Sequence, residues 1–77
     1  MERTEIKIET FKYDENYLID VVTLKDTYEA WVYHKNYGVK SLMFGCPIEQ
    51  QTYQFFLEMV EANADEYIEF YAEEYEN

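Results

Sequence analysis

The segment Lys40-Ser41-Leu42-Met43-Phe44-Gly45-Cys46-Pro47-Ile48 divides the chain into two unlike halves. Lys40 is the last basic residue, and Gly45-Cys46-Pro47 closes a run with strand character. Proline is favoured at the first turn of a helix, so the spacing predicts a helix beginning near Pro47 or Ile48. Upstream the chain is β-branched, aromatic and alternating; downstream it is rich in Glu, Ala, Leu, Met and Gln. Residues 1–45 therefore read as a β-meander and 47–76 as an acidic helical part. Together they make one domain over 1–77, since a chain of 77 residues is too short for two cores.

Toward the amino end, Val39–Phe44 is expected as a strand, preceded by a turn at Asn36-Tyr37-Gly38, whose Asn and Gly tolerate positive φ. Tyr28–Lys35 precedes it, joined through Asp26-Thr27 to Tyr17–Lys25. That segment has Leu18, Val22 and Leu24 on one parity and Tyr17, Ile19 and Val21 on the other, which fits a central strand. Asp14-Glu15-Asn16 has turn chemistry. In Thr4–Tyr13, Ile6 and Ile8 alternate with Glu5, Lys7 and Glu9. Phe11 and Tyr13 then change parity, which calls for a bulge near Thr10 or for a strand with both faces partly covered. The meander has three or four strands on this reading.

Toward the carboxyl end, Tyr53, Phe56, Val60, Ala64, Tyr67, Tyr71 and Tyr75 recur at close to the helical period. Asn63 or Asp65 offers a point to end one helix and cap another. One helix and two helices broken near Asn63 both fit, because a single helix of nearly thirty residues would be about 45 Å long. The expected class is thus α+β: an antiparallel meander with one or two carboxyl-terminal helices packed on it. Phe56, Val60, Tyr67 and Tyr71 are expected to cover the sheet, with Val22, Leu24, Trp31 and Leu42 as sheet-side core.

Charge follows the same division. Seventeen acids against six bases give a net charge of −11; eight of the acids and all six bases precede Ser41, and nine acids with no base follow. Such a chain is repelled by nucleic acid and by anionic bilayers and is drawn to basic surfaces. Apolar residues at 48%, with 19% aromatics, exclude a disordered chain. The single Cys46 excludes an internal disulfide. The amino end lacks the basic start and apolar stretch of a signal peptide, and no run is long enough to span a bilayer. The expectation is a soluble, cytoplasmic protein.

The candidate site is the acidic stripe. Glu58, Glu61, Asp65, Glu69 and Glu73 step by three or four residues, with Glu66 and Glu74 alongside. On a helix, neighbours at i,i+4 stand about 6 Å apart, similar to successive phosphates of a nucleic-acid strand, and each like-charged pair costs a few tenths of a kcal/mol. Carboxylates at the helix carboxyl end also oppose its dipole. A basic partner would reverse both costs; a face that merely solvates the protein is the competing reading. Enzyme chemistry finds no constellation. Cys46 at an expected helix start has no histidine placed beside it, His34 being the sole one. No Cys/His cluster, calcium loop or phosphate-cradling glycine loop occurs, so no metal or cofactor is expected.

Size, the compact meander followed by helix, and the base-free run from Ser41 to Asn77 give a profile that resembles small acidic inhibitors of phages and mobile elements, notably anti-CRISPR proteins of the DNA-mimic kind. The resemblance implies a cytoplasmic inhibitor, in a bacterial host, of a basic nucleic-acid-binding protein such as a Cas nuclease. Such nucleases present arginines and lysines where they read target-flanking duplex or hold the guide–target hybrid. The alternative is a small interaction or assembly module, including a homodimer, whose acids only solvate it.

Overall fold

Alternation in the first half yields four strands of eight residues each: β1 (Glu5–Lys12), β2 (Tyr17–Leu24), β3 (Thr27–His34) and β4 (Lys40–Pro47). They form one antiparallel sheet in chain order in this computed structural model, which describes residues 5–76 and the side chains of 7–76. A 3₁₀ turn at Ile48–Gln50 leads to a single helix, α1 (Tyr53–Tyr75). The expected strand start at Thr4 and the faces assigned to Glu5 and Ile6 lie outside the described side chains.

The turns follow local chemistry. The Asp14 carboxylate accepts from the backbone N–H of Asn16 at 2.7 Å and of Tyr17 at 2.9 Å, closing the first hairpin. The β3–β4 turn does not use positive φ, which none of the described residues adopts. It is closed instead through His34, whose carbonyl accepts from Tyr37 N–H at 3.1 Å and whose Nδ1 accepts from Asn36 N–H at 3.1 Å. The irregularity in β1 falls between Glu5 and Lys7 rather than near Thr10, and Phe11 simply shares a face with Glu9. A second slip, between Ala30 and Trp31, accommodates Met43 as an extra residue in β4.

The helix starts later than expected. Pro47 is still paired with Thr27 in the sheet, and Thr52 is the N-cap, its hydroxyl accepting from Phe55 N–H at 3.1 Å. Nor does the helix break at Asn63, whose amide reaches back to the Met59 carbonyl at 2.8 Å. One unbroken helix fits because it runs lengthwise along β3. Phe56 packs on Tyr28 near one end, and Tyr71 packs on Tyr17 and Tyr37 near the other. Fifteen residues of helix rise about 22 Å, and the stretch from Tyr28 to His34 rises about 20 Å.

The core is the layer between α1 and one sheet face. Tyr17, Ile19, Val21, Tyr28, Ala30 and Val32 lie beneath Phe56, Val60, Ala64, Ile68 and Tyr71, with Met43 in the same cluster. Ala30, fully buried, leaves room for the helix to approach. Of the residues expected as sheet-side core, Val22 is buried, but Leu24 and Trp31 are half-buried and Leu42 is exposed. All four share the opposite parity and form the face turned away from α1, so their placement beneath the helix is corrected. Ile68, absent from the expected helix face, is buried, whereas Tyr75 is exposed.

Candidate functional site

Burial fixes the orientation of α1 about its axis, and the acids fall where the core is not. Glu58, Glu61, Asp65, Glu66, Glu69, Glu73 and Glu74 are all exposed. With Phe56, Val60, Ala64, Ile68 and Tyr71 facing the sheet, a turn of about 100° per residue puts Glu58, Asp65, Glu66, Glu69 and Glu73 on the outward half of the helix. Glu61 and Glu74 project from its two flanks. The described lysines all lie on the sheet and its turns, and no basic residue stands in the last turn to meet the helix dipole. Phe55 and Phe70 interrupt the acidic surface and are 52% and 54% exposed.

Asp65 is held rather than free, because the Tyr13 hydroxyl of the β1–β2 hairpin donates to it. That bond raises the Tyr13 phenol above its usual range, with partial burial adding to the effect. At the start of the helix, Tyr53 donates to Glu9 on β1. Burial first, and then this bond, push the Tyr53 phenol far above its ordinary value. Glu9 is held below the usual carboxylate range by the same bond, aided by Lys7 at 3.5 Å. The Lys7 ammonium also sits 4.5 Å from the Tyr53 ring centre.

These two tyrosine–carboxylate struts bridge a groove. α1 packs mainly on β3 and β4 and so leaves the β1 side open. The resulting depression of about 460 Å³ has Phe11, Ile19, Leu57 and Val60 in its walls and Glu58 and Glu61 on its rim. Its volume lies within the range of small-molecule sites, and its rim is part of the acidic surface. Sequence reasoning named the acids and missed the groove. Phe11 and Tyr13 on one parity were its only trace, read there as strand irregularity.

The remaining candidates are separated by the fold. Cys46 is in β4 opposite Tyr28, not at a helix start, while His34 ends β3 six residues away from Tyr28. That is about 20 Å of strand. The cysteine packs against the core beside its neighbours. His34 is buried, with Tyr17 edge-on at 5.1 Å and Tyr37 stacked at 4.1 Å. Among the described residues no three His, Cys, Asp or Glu side chains are grouped to hold a metal ion, and no helix is long and apolar enough to cross a membrane.

Fold and surface together define a small α+β domain: a four-stranded antiparallel meander backed by one helix whose exposed side is acidic. No protein-family model, curated protein or solved structure matches the chain.

Proposed function

We propose that this is a non-enzymatic binding protein whose outward helix face enters the basic groove of a nucleic-acid-handling protein and inhibits it by charge mimicry. The observation that carries the reading is the run of exposed carboxylates along α1 with no cation on the helix. Six like-charged i,i+3 or i,i+4 contacts arise among Glu58, Glu61, Asp65, Glu66, Glu69, Glu73 and Glu76. A partner's lysines and arginines relieve these repulsions on binding and release the counterions held in the groove, as when such a groove binds DNA. Phe55 and Phe70 supply rings on which arginine side chains stack, and the β1–α1 groove accepts an apolar side chain beside Glu58 and Glu61. A CRISPR nuclease in a bacterial cytoplasm is the partner that the profile indicates.

The test is capture from bacterial extract on the immobilised chain, comparing wild type with a variant carrying Glu58→Gln, Glu61→Gln and Glu69→Gln. Glutamine keeps the helix and removes the charge. Mimicry predicts nucleic-acid-binding proteins on the wild type, displaced by salt or by duplex DNA and missing from the variant. Equal capture by both chains, or capture that DNA does not compete, would exclude the helix as the binding face.

A further inference from the structure

Among the described side chains, the sheet face turned away from α1 differs from the rest of this acidic molecule in having no net charge. Its described charged groups are Lys12, Lys40, Asp20 and Glu29, two of each sign. It is also apolar: Ile8 and Leu42 are 50% and 48% exposed, and half-buried Trp31 lies between them near the middle of the sheet. We propose that a second copy of the chain docks on this face, sheet against sheet, to form a two-fold dimer.

Charge selects this occupant. Two chains of net charge −11 repel each other over most of their surfaces and can approach only where the acids are not. Face-to-face sheets stack about 10 Å apart and each helix layer adds about 10 Å, so the two acidic helices stand about 30 Å apart, several screening lengths. A basic partner is drawn to the helix instead, and nothing on the neutral face holds it there.

The polar groups set the orientation. One cross-strand row, Lys12–Leu18–Tyr33–Lys40, is cationic at both ends, whereas the row holding Val22 and Glu29 is acidic. A two-fold axis across the strands, along the row from Asp20 to Trp31 and Leu42, brings each copy's cationic row over the other's acidic one. It also opposes Trp31 to Trp31, Leu42 to Leu42 and Asp20 to Asp20, each Asp20 being ion-paired to Lys40 of its own copy at 2.8 Å. An axis along the strands would oppose lysine to lysine. Eight-residue strands in a four-stranded sheet present about 500 Å² per copy, or about 1,000 Å² in the pair, the lower limit for a specific interface. A central tryptophan is the residue type that most often anchors an interface of that size. Micromolar affinity is therefore expected. The inference stands apart from the helix reading, since the helices point away from the contact.

Sedimentation of the whole chain from about 1 to about 500 µM, at physiological salt, tests it. The expected result is a shift from monomer to dimer, with iodide quenching of Trp31, the sole tryptophan, falling over the same range. Leu42→Glu opposes two carboxylates across the axis and should weaken association at least about tenfold, with its fold checked by circular dichroism. Glu61→Gln on the helix should not weaken it. A monomer at every concentration overturns the proposal, as does a dimer in which Trp31 stays as accessible as in the monomer. So does a folded Leu42→Glu chain that dimerises like the wild type. If Leu42→Glu fails to fold, the Trp31 quenching of the wild type decides alone.

Discussion

If the acids on α1 are tolerated at a cost, reversing one well-placed carboxylate should stabilise the free protein. Glu69 is the most informative position: it is exposed, and it lies three residues after Glu66 and four from both Asp65 and Glu73. Each like-charged neighbour costs about 0.2–0.5 kcal/mol, and an opposite pair returns a similar amount. Glu69→Lys converts three repulsions into attractions and adds a cation toward the helix carboxyl end. Allowing for solvent screening, the gain is about 1–2 kcal/mol at low salt. For a domain of this size that corresponds to a rise of about 5–10 °C in Tm. Urea and thermal unfolding of wild type and variant, in low salt and in about 1 M NaCl, measure it. The gain should shrink sharply in high salt, while the wild type itself becomes more stable there. In the capture experiment the same variant should bind its partner more weakly. A Glu69→Lys chain no more stable than wild type at low salt, or a gain that salt leaves unchanged, would refute the idea that the stripe opposes folding. The principal physical motive for seeking a basic partner would go with it.

Other outcomes follow from the internal contacts. Asp20, on the face away from α1, is buried, which alone would raise its pKa. Hydrogen bonds from Lys40 at 2.8 Å, Thr10 at 2.8 Å and Tyr33 at 3.0 Å outweigh that effect and hold it below the usual aspartate value. A depressed folded-state pKa stabilises the protein above the unfolded value, near pH 4, and the contribution disappears as pH falls through the lower folded value. Asp20→Asn should cost about 1–2 kcal/mol at pH 7 and flatten the stability profile below about pH 4, as read from urea midpoints against pH. Tyr71 is 2% exposed and donates to the Val39 carbonyl at 2.6 Å, so Tyr71→Phe should cost about 1–3 kcal/mol by leaving that acceptor unpaired. Thr52→Ala removes the hydroxyl that caps α1 and should cost about 1 kcal/mol in the same assay, with increased amide exchange confined to the first turn of the helix.

The elements were legible because their periods differ, two in the first half and near 3.6 in the second; the choice of buried sheet face was not. β2 is apolar on both parities, so Leu18, Val22 and Leu24 competed evenly with Tyr17, Ile19 and Val21. The deciding signal lay in what else shares each parity. Asp20 accompanies the first set, Glu29 accompanies Trp31 and Tyr33, and Ala30 supplies the small residue a helix needs beneath it. Large rings drew the assignment toward Trp31, although a tryptophan on a half-open face is equally consistent with its size. The helix start was misplaced because Pro47 fits both a first turn and an edge strand; the capping hydroxyl of Thr52 was the better marker. The acidic stripe was readable residue by residue. The strut from Tyr13 to Asp65 was not, since it joins positions fifty-two residues apart.

A helix with repelling carboxylates and an opposed dipole persists here because its other side is committed to the core. Phe56, Val60, Ile68 and Tyr71 are each at most 8% exposed, and burying such side chains contributes about 1.5–3 kcal/mol apiece. That exceeds the few kcal/mol lost to repulsion along α1. Stability and recognition therefore fall on opposite sides of one helix: the buried side can carry the fold while most exposed positions are left to charge. The arrangement requires β3 to be long and apolar along its whole buried parity, from Tyr28 through Val32, because that strand supplies the main support of the helix, with Phe44 of β4 and Tyr17 of β2 adding to it. A shorter strand would leave the acidic half of α1 unsupported, and the repulsions there would then unwind it from the carboxyl end.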